Sequence, residues 1–231
     1  MSLVSTVGGV ITETSRRLNE VNVSSDNVDR YLDWINMAQE DLAGFFPRAP
    51  WLETSAVLTL AANTRRWQIS SIASDVRQIY DITISAQNIR LTYVPREQFD
   101  TMDPQPNDTG VPSIYTLYND EIEFYPTSNI TDGAQVRYGK TTASVSATSA
   151  TFEIPRRYIE AVIQYSTIRG LQDREDWDQA QIVEAQYQRM IGRIKKELKR
   201  TVFESRRFLS NRELTTVNRF YNDEINQMFF G

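Results

Sequence analysis

The sequence predicts an α+β protein: an α-helical bundle built from N- and C-terminal helices, an inserted β-rich lobe, and an extended C-terminal tail. Three observations predict it. Apolar residues recur at three- and four-residue steps before residue 50 and again from 158 to 202. Between Ser55 and about Thr142 that period gives way to short runs of β-branched and aromatic residues set between turn formers. After Arg206 no period survives, although aromatics continue to Phe230. The expected division is 1–54 with 152–205 for a discontinuous bundle, 55–151 for the lobe and 206–231 for the tail.

The first expected helix covers residues 4–20, carried by Val7, Val10, Ile11 and Leu18 and weakened by Gly8-Gly9. The second starts at Ser25 or Asp26, both good caps. It runs through Val28, Tyr31, Leu32, Ile35, Ala38, Leu42, Phe45 and Phe46 to a stop at Pro47 and Pro50. In the β region, residues 56–60 and 66–69 flank Asn63-Thr64 and read as a hairpin. Residues 76–84 and 88–94 read as strands, 95–102 as a short helix and 103–110 as a loop. Residues 113–118 and 121–125 form a second hairpin about Asn119-Asp120, with Tyr115, Leu117, Ile122 and Phe124 apolar, and 134–140 is a further strand. From these seven runs about six short strands are expected. The Ser/Thr-rich run 141–151 reads as a loop or extended segment. Pro155 opens the next helix, which steps along Tyr158, Ile159, Val162 and Ile163 until Gly170. A charged turn, Asp173 to Asp178, starts the last helix. Its stripe is Ile182, Ala185, Tyr187, Met190, Ile191, Ile194, Leu198 and Val202, about 25 residues or 38 Å long at 1.5 Å per residue.

Composition narrows the chemistry. The 231 residues suffice for one sizeable domain or two small ones, and 40% of them are apolar. The net charge of −5 does not suit a whole-molecule polycation built to grip nucleic acid. The chain has no cysteine and no histidine. Disulfides, thiolate nucleophiles, cysteine metal sites and Ser-His-Asp or Cys-His triads are therefore excluded. A carboxylate or lysine enzyme stays open in principle, but nothing positive points to catalysis, and no cofactor is expected. Met1-Ser2-Leu3-Val4 lacks a secretory signal's basic and apolar regions, and no run reaches the ~20 apolar residues of a membrane helix. Synthesis and folding in a cytoplasm, without a membrane, are the expectation.

Four segments are candidate sites, each with a plain structural alternative. Residues 189–207 hold Arg189, Arg193, Lys195, Lys196, Lys199, Arg200, Arg206 and Arg207 against Glu197 and Glu204. This local +6 leaves −11 for the rest of the chain. Such a face meets phosphate or an acidic partner ring, or else is a solvated helix face whose charge suits the helix C-terminus. The tail aromatics Phe208, Phe220, Tyr221, Phe229 and Phe230 are either anchors that order on a partner or part of a helix folding back on its own core. Asp173, Glu175, Asp176 and Asp178 are a cation cluster or, on the favoured reading, a solvated turn. Gly8-Gly9 fits no phosphate or dinucleotide motif. The four tryptophans are scattered like core or anchor residues.

Segments taken in order resemble a known family. Val10-Ile11, Arg16-Arg17-Leu18-Asn19 and the run from Tyr31 to Gln39 are similar to the opening of bacteriophage adaptor proteins, the head-to-tail connectors or head-completion rings of tailed phages. So is the order Gly110-Val111-Pro112, Tyr115, Ile122-Glu123-Phe124-Tyr125-Pro126, Val136-Arg137-Tyr138, Ile154-Pro155, Tyr158, and Tyr165 to Leu171. The likeness spans about residues 10–200. It implies a structural, non-enzymatic protein of the virion neck, made in the host cytoplasm. About twelve copies would form a ring between the portal and the tail or nozzle proteins. It further implies that the C-terminal segment reaches into the portal, making Phe203, Phe208, Leu209, Phe220, Tyr221, Phe229 and Phe230 the candidate contacts. A central channel would pass double-stranded DNA. Arg189, Arg193, Lys195, Lys196, Lys199 and Arg200 would then be a DNA-channel or acidic-partner face, with contact that is not sequence-specific. Three other classes compete. One is a carbohydrate or receptor reader using Tyr115, Tyr118, Tyr125 and Tyr138. The second is a non-specific nucleic-acid-binding protein using 189–207. The third, ranked last, is a carboxylate-based hydrolase.

Overall fold

In the computed structural model of the protein, which describes residues 6–20, 23, 25–102 and 108–207, the chain begins with a capped helix. Helix α1 spans Val7–Arg17, and the Thr6 hydroxyl accepts a hydrogen bond from the Gly9 amide at 3.3 Å. Gly8 does not break the helix because it has a packing task. Its amide donates to the Thr148 carbonyl at 2.8 Å, and a Cβ there would stand 3.1 Å from that same oxygen. The Ser/Thr-rich run is therefore anchored to the helices. It supplies carbonyls of Thr148 and Ala150 to the first turn of α1, whose amides have no partner within the helix. It is also pinned to α2 (Ser25–Phe45). The Asn36 side chain donates to the Val145 carbonyl at 3.1 Å and accepts from the Val145 amide at 2.8 Å.

Helix α4 spans Ile159–Asp173, entered through a 3-10 turn at Arg156–Tyr158, and α5 spans Trp177–Arg207. Helix α4 continues past Gly170, contrary to the expected stop. The glycine is needed for close packing: a Cβ there would run into Leu18 and lie 3.2 Å from Trp34 Cη2. Helix α5 is longer than expected, and its buried stripe is Ala180, Tyr187, Ile191 and Ile194. Ile182 and Ala185 face solvent instead. Buried residues of α1, α2, α4 and α5 form one apolar cluster with Leu52, Val145 and Ile154.

Between α2 and α4 the described residues form nine strands and the seven-residue helix α3 (Arg96–Met102). The first sheet has the order β1-β9-β3-β4, with β1 Glu53–Thr59, β3 Val76–Ile84, β4 Ile89–Arg90 and β9 Gly133–Lys140, all antiparallel. The second has the order β2-β8-β7-β5, with β6 beside β8. Its strands are β2 Thr64–Gln68, β5 Thr92–Tyr93, β6 Thr109–Gly110, β7 Ile114–Tyr118 and β8 Glu121–Ser128. The β7–β8 hairpin turns at Asn119 and Asp120, whose φ values of 51° and 61° suit a tight hairpin turn. The expected hairpin of 56–60 with 66–69 does not form. Strand β1 pairs with β9 and β2 with β8, so the chain switches sheets between them. Inward residues of both sheets, among them Leu58, Ile82, Val136, Ile122 and Phe124, share a second apolar cluster. The protein is thus a mixed α+β fold with five α-helices and two sheets among the described residues.

The end of α2 is bolted to the first sheet. Arg77 Nη1 donates to the Ala43 carbonyl at 3.0 Å and the Tyr80 hydroxyl to the Pro47 carbonyl at 2.7 Å. The Lys140 amide donates to the Leu52 carbonyl at 2.8 Å. Carbonyls left over at a helix C-terminus are satisfied by strand residues, so a tilt of the sheet against α2 breaks hydrogen bonds.

Candidate assembly surfaces

The long helix carries the basic segment. Arg189, Arg193, Lys195, Lys196 and Lys199 are all exposed on α5. Only one narrow stripe of α5 is buried, so cations at other helix angles point to solvent. Glu197 is engaged by Arg157 at 3.1 Å. Arg200 and Phe203 lie on the same helix, with side chains outside the described residues. Phe208, Leu209, Phe220, Tyr221, Phe229 and Phe230 lie outside the described residues altogether.

Charge is sorted along α5. At its start the turn holds Asp173, Glu175, Asp176 and Asp178 against Arg174. Arg174 bends back to the Leu18 carbonyl and the Glu20 carboxylate. The Asp176 carboxylate accepts from the Gln179 amide at 3.3 Å and so caps the helix. Among the described residues no three His, Cys, Asp or Glu side chains are grouped to hold a metal ion. The helix runs from this acidic turn to its basic end over about 46 Å.

Where α5 passes the end of α2, Phe46, Pro47, Ala49 and Leu198 floor an apolar groove of about 340 Å³. Arg48, Lys195 and Lys199 stand at its rim. Nearby helical contacts are firm. The Tyr187 hydroxyl donates to Asp41 at 2.5 Å, and burial first, then that carboxylate, push the Tyr187 pKa up.

A second charged feature sits on the β side. Glu123 of β8 is 2% exposed yet ionised among three arginines. Arg65 Nε lies 2.5 Å away and Arg66 Nε 3.4 Å, while Arg96 of α3 makes the closest contact. Burial acts to raise the Glu123 pKa. The Arg96 hydrogen bond and the three positive charges outweigh it and hold the carboxyl below its ordinary value of 4.5. Arg96 also pairs with Asp100 at 2.8 Å. The cluster ties β2, β8 and α3 together.

The four β-region tyrosines do not form one sugar-stacking face. Tyr115 and Tyr138 are buried in the sheet cluster, and Tyr118 is exposed. Tyr125 stands opposite Ile114 and so on the other face of its sheet from Tyr115. Two features carried no sequence signal. The groove joins residues about 150 positions apart, and the arginine cluster joins residues separated by 27 to 58 positions. Neither has a local period or motif.

These surfaces offer contact: an exposed cationic run on α5 and an apolar groove, on a fold whose first sheet is tied to the end of α2 by hydrogen bonds. The class they fit is a structural adaptor, one that joins other proteins. Residues 5–212 match the SU10 adaptor protein family, and the chain belongs to that family of bacteriophage adaptors. Membership makes it a virion component that associates with other phage head or tail proteins, in a structural rather than a catalytic role. No curated protein matches the chain, and no helix among the described residues is long and apolar enough to cross a membrane.

Proposed function

We propose that the protein forms an oligomeric ring of about twelve copies between the portal and the tail of a tailed phage, in the neck of the virion, and that double-stranded DNA passes through it. The helices of 1–54 and 152–205 act as one discontinuous bundle, 55–151 as an inserted lobe, and 206–231 as the segment that engages the portal. Phe203, Phe208, Leu209, Phe220, Tyr221, Phe229 and Phe230 are its apolar contacts. One observation supports this reading above others: the exposed cationic run from Arg189 to Lys199 on α5 leads toward the segment 206–231. In a ring of parallel copies those cationic ends lie together, a repeated positive surface suited to an acidic partner ring or to DNA phosphates. Weak single contacts then add up by symmetry.

Full-length protein and a chain ending at residue 205 are mixed with purified portal and examined by electron microscopy and co-sedimentation. The full chain is expected to stack on the portal as a ring, and the short chain to lose binding. Equal binding by the two overturns the role given to the tail.

A further inference from the structure

The groove beside α5 has a chemistry that picks its occupant. Its floor, Phe46, Pro47, Ala49 and Leu198, offers apolar surface, and its rim is cationic on both walls. Among the described residues neither Lys195 nor Lys199 is ion-paired. A volume of about 340 Å³ falls at the small end of ligand-binding clefts. The complement is a short stretch with large apolar side chains next to carboxylates. Duplex DNA supplies the negative charge but nothing for the apolar floor.

The chain contains such a stretch. Residues 222–231 carry Asp223 and Glu224 and no Lys or Arg, followed by Ile225, Met228, Phe229 and Phe230. It is also within reach. Leu198 lies nine positions before Arg207 on α5, about 13 Å of helix. The 16 residues from Arg207 to Asp223 span up to about 53 Å, ample to return. A tethered segment presents itself at millimolar effective concentration, above any competing copy at micromolar levels.

We propose that in the free protein the 223–230 segment docks into its own groove, with Phe229 or Phe230 on the floor and Asp223 and Glu224 against Lys195, Lys199 and Arg48. This rests on the reading of 206–231 as the portal-engaging segment and adds what holds it beforehand. The apolar residues are covered until a portal competes for them, and release of the segment couples portal encounter to assembly.

The absence of cysteine makes a thiol test clean. Lys199→Cys with Gln227→Cys is compared with Gln179→Cys with Gln227→Cys, which places the first thiol about 30 Å up the same helix. Both dilute proteins are oxidised with oxidised glutathione and resolved on non-reducing gels. The groove pair is expected to close within the monomer about tenfold faster or more. Adding Leu198→Asp, or the surface change Lys195→Glu where the first disturbs folding, should bring that rate down to the control. Equal rates for the two pairs, or links only between molecules, overturn the proposal. The portal assay on the chain ending at residue 205 reads separately. Undiminished portal binding sinks the portal role of the tail, and the thiol rates alone decide the groove.

Discussion

Glu123 holds three elements of the β region together, β2, β8 and α3. Three guanidiniums converge on a carboxylate with almost no water contact. Removing one partner of such a cluster leaves charge unpaired, which costs more than the net worth of the pair. Glu123→Gln should destabilise the protein by about 3 kcal/mol, at the lower end for a broken buried pair because Arg66 and Arg96 keep some water. Denaturant unfolding checks this, and a loss below about 1 kcal/mol counts against it. The sign of the pH effect follows from the lowered pKa. The carboxylate's contribution is complete above its ordinary value of 4.5 and is lost as pH falls below that through the depressed folded value. The stability gap between wild type and Glu123→Gln should therefore narrow as pH falls below 4.5. A gap that widens on acidification would count against it.

At the scale of elements, the segment 141–151 and helix α4 teach the same lesson. Serine and threonine content marks 141–151 as irregular, which it is, but says nothing of attachment. The attachment comes from Asn36, whose amide meets both backbone polar groups of Val145. Asn36→Ala leaves those groups without that partner and should cost about 1–3 kcal/mol. It should also speed hydrogen exchange at the Val145 amide, and an unchanged exchange rate would refute this pinning. In the same way, Gly170 looked like a stop because glycine often follows a helix. Here it admits Leu18 and Trp34 against α4. Periodicity located α2, α4 and α5 because an amphipathic helix writes its buried face into local spacing. It could not separate two meanings of one glycine, since the deciding neighbours lie more than 130 positions away.

For the whole molecule the deciding quantity is how charge is distributed. A chain of net charge −5 carries its positive surplus at one end of α5 and an acidic turn at the other. Such a monomer should bind duplex DNA only through phosphates, with a Kd of about 10⁻⁴–10⁻⁶ M near physiological salt. Replacing Lys195, Lys196 and Lys199 by Gln should lower the slope of log affinity against log salt by up to about 3. Fluorescence anisotropy over a salt series tests both. Tight, salt-resistant or sequence-selective binding by the free chain would favour a dedicated nucleic-acid protein over an adaptor.

The sequence by itself determined what depends on residue type and near-neighbour spacing: the loss of thiol and imidazole chemistry, the four long helices, the strand-rich middle, the β7–β8 hairpin and the segregation of charge. Only the tertiary structure decided which strands pair, why β1 and β2 part into different sheets, and which distant side chains meet around Glu123 and along the groove of Phe46 and Leu198. The physical reason is range. Helical faces and turns are fixed by residues a few positions apart, whereas sheet partners, ion clusters and grooves are chosen by burial of the whole chain against itself.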